Sequence, residues 1–208
     1  MSISAAPSNR TRWAGVPAED RRAERRTLLL DAALELLGTE GWAGTTVRAV
    51  CQAARLNARY FYESFDDLDA LLVALYDKLV FELSAAVEAA VAKAPDPPAM
   101  VRATVESTVR FVDEDRRRGR VLYGEALGNE ALNRRRIDAG FAVADLITSQ
   151  LDDKIFRLGA TVVVGGFTEL LMAWLDGRIK ISRKQLIDDA TALFIALGEA
   201  AARIAAAR

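Results

Sequence analysis

The sequence lacks histidine altogether and contains a single cysteine, Cys51. A Ser-His-Asp triad, a Cys-His pair and a histidine-containing zinc site are therefore impossible within one chain. One cysteine cannot form an intrachain disulfide framework either. These absences remove most of the common enzyme constellations, and we expect no catalytic residues, no cofactor and no metal.

Long apolar runs and an excess charge of either sign are also missing. We find no apolar secretory segment at the N-terminus and no run that approaches the length needed to cross a bilayer. We therefore expect a cytoplasmic protein without membrane contact. The 28 basic and 29 acidic residues nearly cancel, so the overall charge neither requires nor excludes a polyanionic partner. An argument for nucleic acid has to come from a local pattern.

The sequence instead contains a succession of helical patterns. Its 208 residues are 51% apolar, enough for the core of one sizeable domain or two small ones. Residues 1–18 carry prolines and no helical periodicity, which predicts a flexible N-terminal arm. Apolar residues then recur at helical spacing over 19–39, before Gly41. No alternating strand pattern follows, and the β-branched "TVVVGGF" continues into a helical apolar run, so the predicted fold class is all-α.

Side chains that cap helices mark the next elements. Thr45 or Thr46 can cap a second helix and Asn57 a third. Asp66 or Asp67 can cap a fourth, long helix that ends at "PDPP". The later predicted helices span about 99–115, 121–127, 131–151, 155–175 and 183–206.

The second and third helices are short, and the first helix braces them. This is the layout of a helix-turn-helix, whose second helix enters the major groove of DNA. Phe61 and Phe65 lie four residues apart and share a face with Leu56, so we expect them in the core. The residues left to face outward are Ala58, Arg59, Tyr60 and Tyr62.

Each outward residue allows more than one interpretation. A tyrosine can lie along a groove wall with its hydroxyl on a phosphate, or can pack on the protein surface. Arg59 can read guanine or hold a phosphate. Asn57 can cap its helix or contact a base.

The stretch from about Arg22 to Leu72 resembles the N-terminal DNA-binding domain of the TetR family of transcriptional regulators. The residues that carry the resemblance are Ala32-Ala33, Leu36-Leu37, Gly41, Thr45-Thr46, Phe61-Tyr62, Phe65 and Leu71-Leu72. It implies a three-helix DNA-binding domain over 19–66 and a helical ligand-binding and dimerisation domain over 67–208. It also implies that positions commonly touching DNA are occupied by Thr46, Arg48, Ala58, Arg59, Tyr60 and Tyr62.

The chain departs from the family pattern at three positions. Arg55 replaces the usual glycine of the turn, Arg59 a small residue, and Leu68 a lysine that normally holds a phosphate. An acidic run just after the third helix would also repel DNA; it comprises Glu63, Asp66, Asp67 and Asp69.

A basic cluster can offset this repulsion by neutralising phosphates and releasing counterions. Its members are Arg10, Arg12, Arg21, Arg22, Arg25 and Arg26. The alternative for the four in the first helix is a solvated face paired with Glu19, Asp20 and Glu24.

For the C-terminal half, the resemblance implies a small-molecule pocket and a dimer formed by the last two helices. The candidate pocket residues are Thr104, Thr108, Phe111, Tyr123, Phe141, Thr148, Phe167, Met172 and Trp174. Each can instead be an ordinary core residue. The candidate dimer residues are Gly165, Gly166, Leu170, Ala173, Trp174, Leu193 and Leu197. The alternative is that these helices form only an intrachain hairpin.

Three classes of function remain. The first is a homodimeric regulator, typically a repressor in this family, that binds a palindromic DNA operator and responds to an unknown small-molecule effector. The second is a helical adaptor that has lost DNA binding. The third is an all-α enzyme using Glu106, Glu125 or Asp145, although no convergent constellation supports it.

Overall fold

The computed structural model of the chain describes residues 18–148 and 154–207. Within these ranges every regular element is helical, which confirms the all-α prediction. The predicted flexible arm, with Arg10 and Arg12, lies outside the described residues, as does the end of the helix predicted over 131–151.

The helices follow the order that the sequence predicts, with two short additions. They are α1 (Ala18–Thr39), α2 (Gly41–Gly44), α3 (Val47–Ala53), α4 (Ala58–Tyr62), α5 (Leu68–Val91), α6 (Pro97–Glu114), α7 (Arg116–Gly119), α8 (Glu130–Thr148), α9 (Lys154–Leu175) and α10 (Arg183–Ala206). A π-helical segment (Arg120–Gly124) and a 3-10 turn (Glu125–Gly128) replace the single helix predicted over 121–127. The short helices α2 and α7 were not predicted.

The predicted capping residues begin their helices as expected. The side chain of Thr46 accepts a hydrogen bond from the Ala49 amide, that of Asn57 from the Tyr60 amide, and that of Asp67 from the Ala70 amide. Each bond satisfies an amide that has no partner within its own helix. The neighbouring Thr45 is buried, and its hydroxyl donates to the Gly41 carbonyl instead.

One apolar core runs from the N-terminal helices into the C-terminal half. Leu29 and Leu37 of α1 and Leu71 and Leu72 of α5 are all fully buried, and each contributes roughly 1.5–3 kcal/mol by leaving water. Because α1 packs on both α3 and α5, it links the short N-terminal helices to the long C-terminal ones.

Polar contacts also fasten the end of α1 to the segment that follows α6. Arg117 forms an ion pair with Glu35. Arg120 Nη1 donates to the Thr39 carbonyl over 3.1 Å. Trp42 Nε1 donates to the Glu125 carbonyl over 2.9 Å. Residues 117–125 therefore help to set the position of the N-terminal helices, together with the packing of α1 on α5.

Candidate nucleic-acid interface

The turn between α3 and α4 contains the arginine that departs from the family pattern. Arg55 has φ 54°, in the left-handed region that glycine adopts most easily. Its amide donates to the Gln52 carbonyl and the Leu56 amide to the Cys51 carbonyl, which is the Schellman pattern of a helix end. The turn thus keeps the backbone that glycine would give, at a conformational cost of about 1 kcal/mol.

Two sides of α4 are distinguished by burial. Phe61 and Phe65 are buried, with ring centroids 5.9 Å apart, so the prediction that both belong to the core is confirmed. Tyr62 is 60% exposed and touches the Phe61 ring edge-on at a centroid distance of 5.3 Å. Ala58 and Arg59 are also exposed. These three residues form the solvent-facing side of the helix.

Tyr60 does not face outward as predicted. It is half-buried and packs against the core, and the guanidinium of Arg25 lies 4.5 Å from its ring centroid. The reason is that α4 rests on α1, so that the side of α4 carrying Tyr60 meets the arginines of α1. A contact between Tyr60 and DNA stays a prediction.

The arginines of α1 bind the carboxyl end of α4. Arg22 Nη2 donates to the Glu63 carbonyl over 2.6 Å, and Arg26 Nη1 to the Ser64 carbonyl over 3.1 Å. Carbonyls at a helix end attract cations. Sequence reasoning missed this role. Each bond uses one of the five N–H donors of a guanidinium, so a phosphate contact of Arg22 stays a prediction. The signal was the i, i+4 spacing of Arg22 and Arg26, which aligns them on one face.

Two other arginines predicted to contact DNA are Arg21 and Arg48. Within the described residues, neither Arg21 nor Arg48 forms an ion pair. Arg48 is exposed near the capping Thr46, also exposed, at the start of α3. Their contacts with phosphate stay predictions.

Three of the four residues in the acidic run after α4 have structural partners of their own. Glu63 Oε1 accepts from Arg59 Nε over 3.0 Å and Oε2 lies 3.5 Å from Arg25 Nη2. Asp67 caps α5, and Asp69 accepts from Asn129 Nδ2 over 2.9 Å. The Arg59–Glu63 pair uses only Nε of Arg59, so the other N–H donors of this exposed guanidinium face solvent.

Leu68 stands where the resemblance to the TetR family led us to expect a phosphate-binding lysine. It is half-buried and packs against the core at the start of α5. The side chain therefore contributes packing, and the phosphate contact of that lysine has no equivalent at this position.

The nine residues predicted to line an effector pocket are dispersed within the described structure. Phe111 and Trp174 belong to the core, and Phe141 is exposed. The hydroxyls of Thr104, Thr108 and Thr148 each donate to a carbonyl of their own helix, four residues earlier. They are therefore already satisfied.

The remaining three predicted pocket residues have separate surroundings. Phe167 packs edge-on against Phe194, with centroids 5.2 Å apart. Tyr123 lies in the π-helical segment, and burial raises the pKa of its phenol. Met172 lines a cleft next to the end of α1. Whether any of the nine contacts an effector stays a prediction.

Of the residues predicted for the dimer interface, Trp174 has a different place. It is buried, and its indole N–H donates to the Ile181 carbonyl over 3.0 Å within the same chain. This bond closes the turn between α9 and α10, so the ring is not available to a partner.

The other predicted interface residues are accessible or partly so. Leu193 and Leu197 are exposed, while Leu170 and Ala173 are half-buried. Beside Gly165 and Gly166 the space is open, since no other described part of the chain comes within 4 Å of where a β-carbon would stand. Exposed apolar residues that the sequence reasoning missed extend the same surface: Leu158, Val162 and Ile204. The four-residue spacing from Leu158 through Val162 to Gly166 was the available signal.

The expectation about apolar runs was wrong. Helix α9 is long and apolar enough to cross a bilayer, judged by length and composition alone, and 17% of its apolar window is buried within the described chain. This is weak evidence for a membrane, but some apolar residues of α9, among them Leu158 and Val162, are exposed within the described chain.

The three candidate acids of the enzyme hypothesis do not share a partner. Glu125 pairs with Arg120 over 3.0 Å, and Asp145 pairs with Arg157 over 2.8 Å. Glu106 is exposed on α6. Nothing in these three positions indicates a shared acid–base role.

The N-terminal helices match a known protein family. Residues 29–75 match the family of bacterial regulatory proteins called the tetR family. This match covers α1 from Leu29, the helix-turn-helix and the start of α5. No curated protein sequence matches the chain.

Solved structures resemble the whole fold. The fatty acid degradation regulator FadR from Bacillus halodurans has a TM-score of 0.72 and 17% identity, covering 84% of this chain and 95% of its own. A TetR-like regulator from Rhodococcus sp. RHA1 has a TM-score of 0.64 and 23% identity, with 89% and 98% covered. FadR from Bacillus subtilis, solved in complex with stearoyl-CoA, has a TM-score of 0.69 and 15% identity, with 81% and 96% covered. At these identities the likeness concerns the fold alone.

Proposed function

We propose that this chain is a TetR-family transcriptional regulator, the family that its residues 29–75 match, and that it acts as a homodimeric repressor in the cytoplasm. In this proposal two copies of α4 bind a palindromic DNA operator, and a small-molecule effector releases it.

The observation that carries the proposal is the presentation of α4. Its first turn is fixed by the Asn57 cap, its far end is held by Arg22 and Arg26, and its outer side exposes Arg59 and Tyr62. A short helix held at both ends with an arginine and a phenol outward suits the major groove, where side chains reach base edges and phosphates.

The acidic run supports the adaptor hypothesis less than the sequence alone suggested. Glu63 is paired with two arginines, and Asp67 and Asp69 are used in capping and in a contact with Asn129. These three residues therefore have structural roles within the chain, and their presence is poor evidence that DNA binding has been lost.

Dimerisation is supported by the uncovered apolar surface of α9 and α10. An exposed contiguous apolar face of this kind typically marks a protein interface. The open space beside Gly165 and Gly166 would let a second helix approach closely. Two copies of the hairpin would form a four-helix interface in which the same patch meets itself.

Two observations support a response to an effector: a ligand bound in a protein of the same fold, and the course of α5. FadR from Bacillus subtilis, which shares the fold, was solved with stearoyl-CoA bound. In the present chain, α5 runs from the helix-turn-helix into the C-terminal half, so a change in the C-terminal packing would reach α4. A ligand that binds better to a form with wrongly spaced recognition helices would lower DNA affinity.

The proposal is tested by selecting binding sites from a pool of random DNA duplexes with the purified chain. We expect enrichment of a two-fold symmetric sequence. A parallel selection with Arg59→Ala, a change on the exposed side of α4, should enrich a more degenerate site. Failure of the wild-type chain to enrich any sequence would overturn DNA-directed regulation.

A further inference from the structure

A half-open cleft lies between the end of α1, the segment after α6 and the end of α9. It encloses about 330 Å³, within the range of roughly 300–1,000 Å³ that is typical of small-molecule sites. We call it the boundary cleft, because Thr39 on one side belongs to the DNA-binding helices and Met172 on the other to the C-terminal half.

The boundary cleft combines an apolar wall with cationic side chains. Met172 and Leu175 supply the apolar part, and Arg116 and Arg120 lie at the same opening. Such a combination suits a molecule with a hydrocarbon part and an anionic group.

The arginines differ in how far their charge is already compensated. Arg117 lies between Asp115 and Glu35, and Arg120 is paired with Glu125. Within the described residues Arg116 has no carboxylate partner, and one of its nitrogens donates to the Leu175 carbonyl over 3.2 Å. The guanidinium also lies 5.8 Å from the centroid of the Trp174 ring. Because a guanidinium has five N–H donors, Arg116 keeps donors for a ligand.

One carboxylate opposes this attraction. Asp176 also lines the cleft, and its only ion pair among the described residues is a 4.0 Å contact with Arg178. An anionic ligand would therefore gain from Arg116 and lose from Asp176, which gives the two residues opposite expected effects.

We propose that the boundary cleft is an effector site for a small amphipathic carboxylate. The carboxylate lies against Arg116 and Arg120, and the hydrocarbon part lies on Met172 and Leu175. This inference rests on the proposed function, since it identifies where and by what chemistry the regulator is controlled.

The cleft is placed where a ligand alters the DNA-binding helices directly. Arg120 donates to the carbonyls of Gly38 and Thr39 at the end of α1. A carboxylate that takes over these donors removes two of the polar contacts that hold the end of α1. Since α1 holds α4 through Arg22 and Arg26, the orientation of the recognition helix changes with it.

The test is calorimetric titration of the purified full chain with sodium octanoate, and with 1-octanol as an uncharged control of equal chain length. Octanoate should bind and octanol should bind at least tenfold more weakly. Arg116→Gln should weaken octanoate binding by about tenfold or more, because a charge-assisted contact is lost. Asp176→Asn should strengthen it. Arg134→Gln, which removes an exposed arginine paired with Glu130 on α8, should leave it unchanged.

The same variants are then titrated with octanoate while bound to the selected DNA duplex. Octanoate should release wild-type protein and Arg134→Gln at similar concentrations, and Arg116→Gln only at higher ones. The inference is overturned if octanoate does not bind, if Arg116→Gln binds it as well as wild type, or if Asp176→Asn weakens binding. DNA affinity measured without octanoate separates this failure from failure of the proposed function, which predicts binding to the duplex in either case.

Discussion

The outer side of α4 and the outer face of α9 and α10 expose apolar groups in different ways. On α4, Tyr62 is exposed beside Arg59 and near the N-cap polar group of Asn57. On α9 and α10 the exposed side chains are aliphatic and recur along both helices: Leu158, Val162, Leu193, Leu197 and Ile204. The first surface suits a hydrated polyanion and the second a dry protein interface. One chain thus exposes two surfaces with opposite chemistry.

We expect the largest effect from a charge placed on the exposed aliphatic face of α9 and α10. Leu193→Glu places a charge where we propose that two copies meet, so the dimer should dissociate, and operator binding should be lost with it because one half-site gives too little affinity. Sedimentation velocity at micromolar concentration measures the first effect and a gel shift the second. Leu127→Glu is the matched control, since both leucines are 60% exposed. A dimer that survives Leu193→Glu would remove this face from the interface.

The next prediction separates the two sides of α4. Phe61 is fully buried, so Phe61→Ala should lower the free energy of unfolding by about 3–5 kcal/mol through the cavity it leaves. Tyr62→Phe should leave unfolding unchanged and weaken DNA binding by about 1 kcal/mol on any sequence, because it removes one phosphate-reaching hydroxyl. Denaturant titration and DNA titration distinguish the two. A reversed pattern would mean that α4 is turned the other way.

The third prediction concerns the Arg59–Glu63 pair. Arg59→Ala should cost roughly 1–3 kcal/mol at the selected duplex and less at random DNA if the guanidinium reads a base. Equal losses on both would indicate a phosphate contact. Glu63→Gln releases Arg59 and removes a negative charge next to DNA, so it should strengthen binding to random DNA. Weaker binding by Glu63→Gln would mean that the pair holds Arg59 in its reading position.

How these residues behave also shows what the sequence could reveal. The caps at Thr46, Asn57 and Asp67 were predictable, because each bond joins a side chain to an amide three residues away. The half-buried position of Tyr60 was not predictable, because it depends on how α4 crosses α1. For the same reason Trp174 was misplaced, since its indole partner lies across the α9–α10 turn.

The candidate sites divide along the same line. The exposed side of α4 follows from the i, i+4 position of Phe61 and Phe65, which fixes the buried side. The boundary cleft joins residues near 38, 116 and 175, and no local pattern connects them. The π-helical segment Arg120–Gly124 was equally hidden, because its apolar residues fit an ordinary helix as well.

A smaller effect concerns the turn before α4. Arg55→Ala keeps the left-handed strain without the long side chain, whereas Arg55→Gly relieves the strain. The glycine variant should therefore be more stable to denaturant than the alanine variant by about 1 kcal/mol. Equal stabilities would mean that the turn relaxes when the arginine is removed.

The smallest expected effect lies at the boundary between the two regions. Arg117 bonds to Asp115 and lowers the pKa of this carboxyl below its ordinary value. A carboxyl with a lowered folded-state pKa stabilises the fold above its unfolded pKa, and this stabilisation is lost as the pH falls through the folded pKa. The stabilities of wild type and Asp115→Asn should therefore differ at neutral pH, and the difference should begin to shrink as the pH falls below about 4. A constant difference at all pH values would show that the Asp115 charge does not matter.

The claim that two copies of α4 read the DNA is tested most directly by methylation interference on the selected duplex, because guanine N7 lies in the major groove. We predict interference in two patches related by two-fold symmetry, with centres one helical turn or a multiple of about 34–36 Å apart. Wild-type protein should show both patches at the concentration where it is a dimer. Interference confined to one patch, or its absence from the major groove, would contradict the claim that two copies of α4 read the DNA.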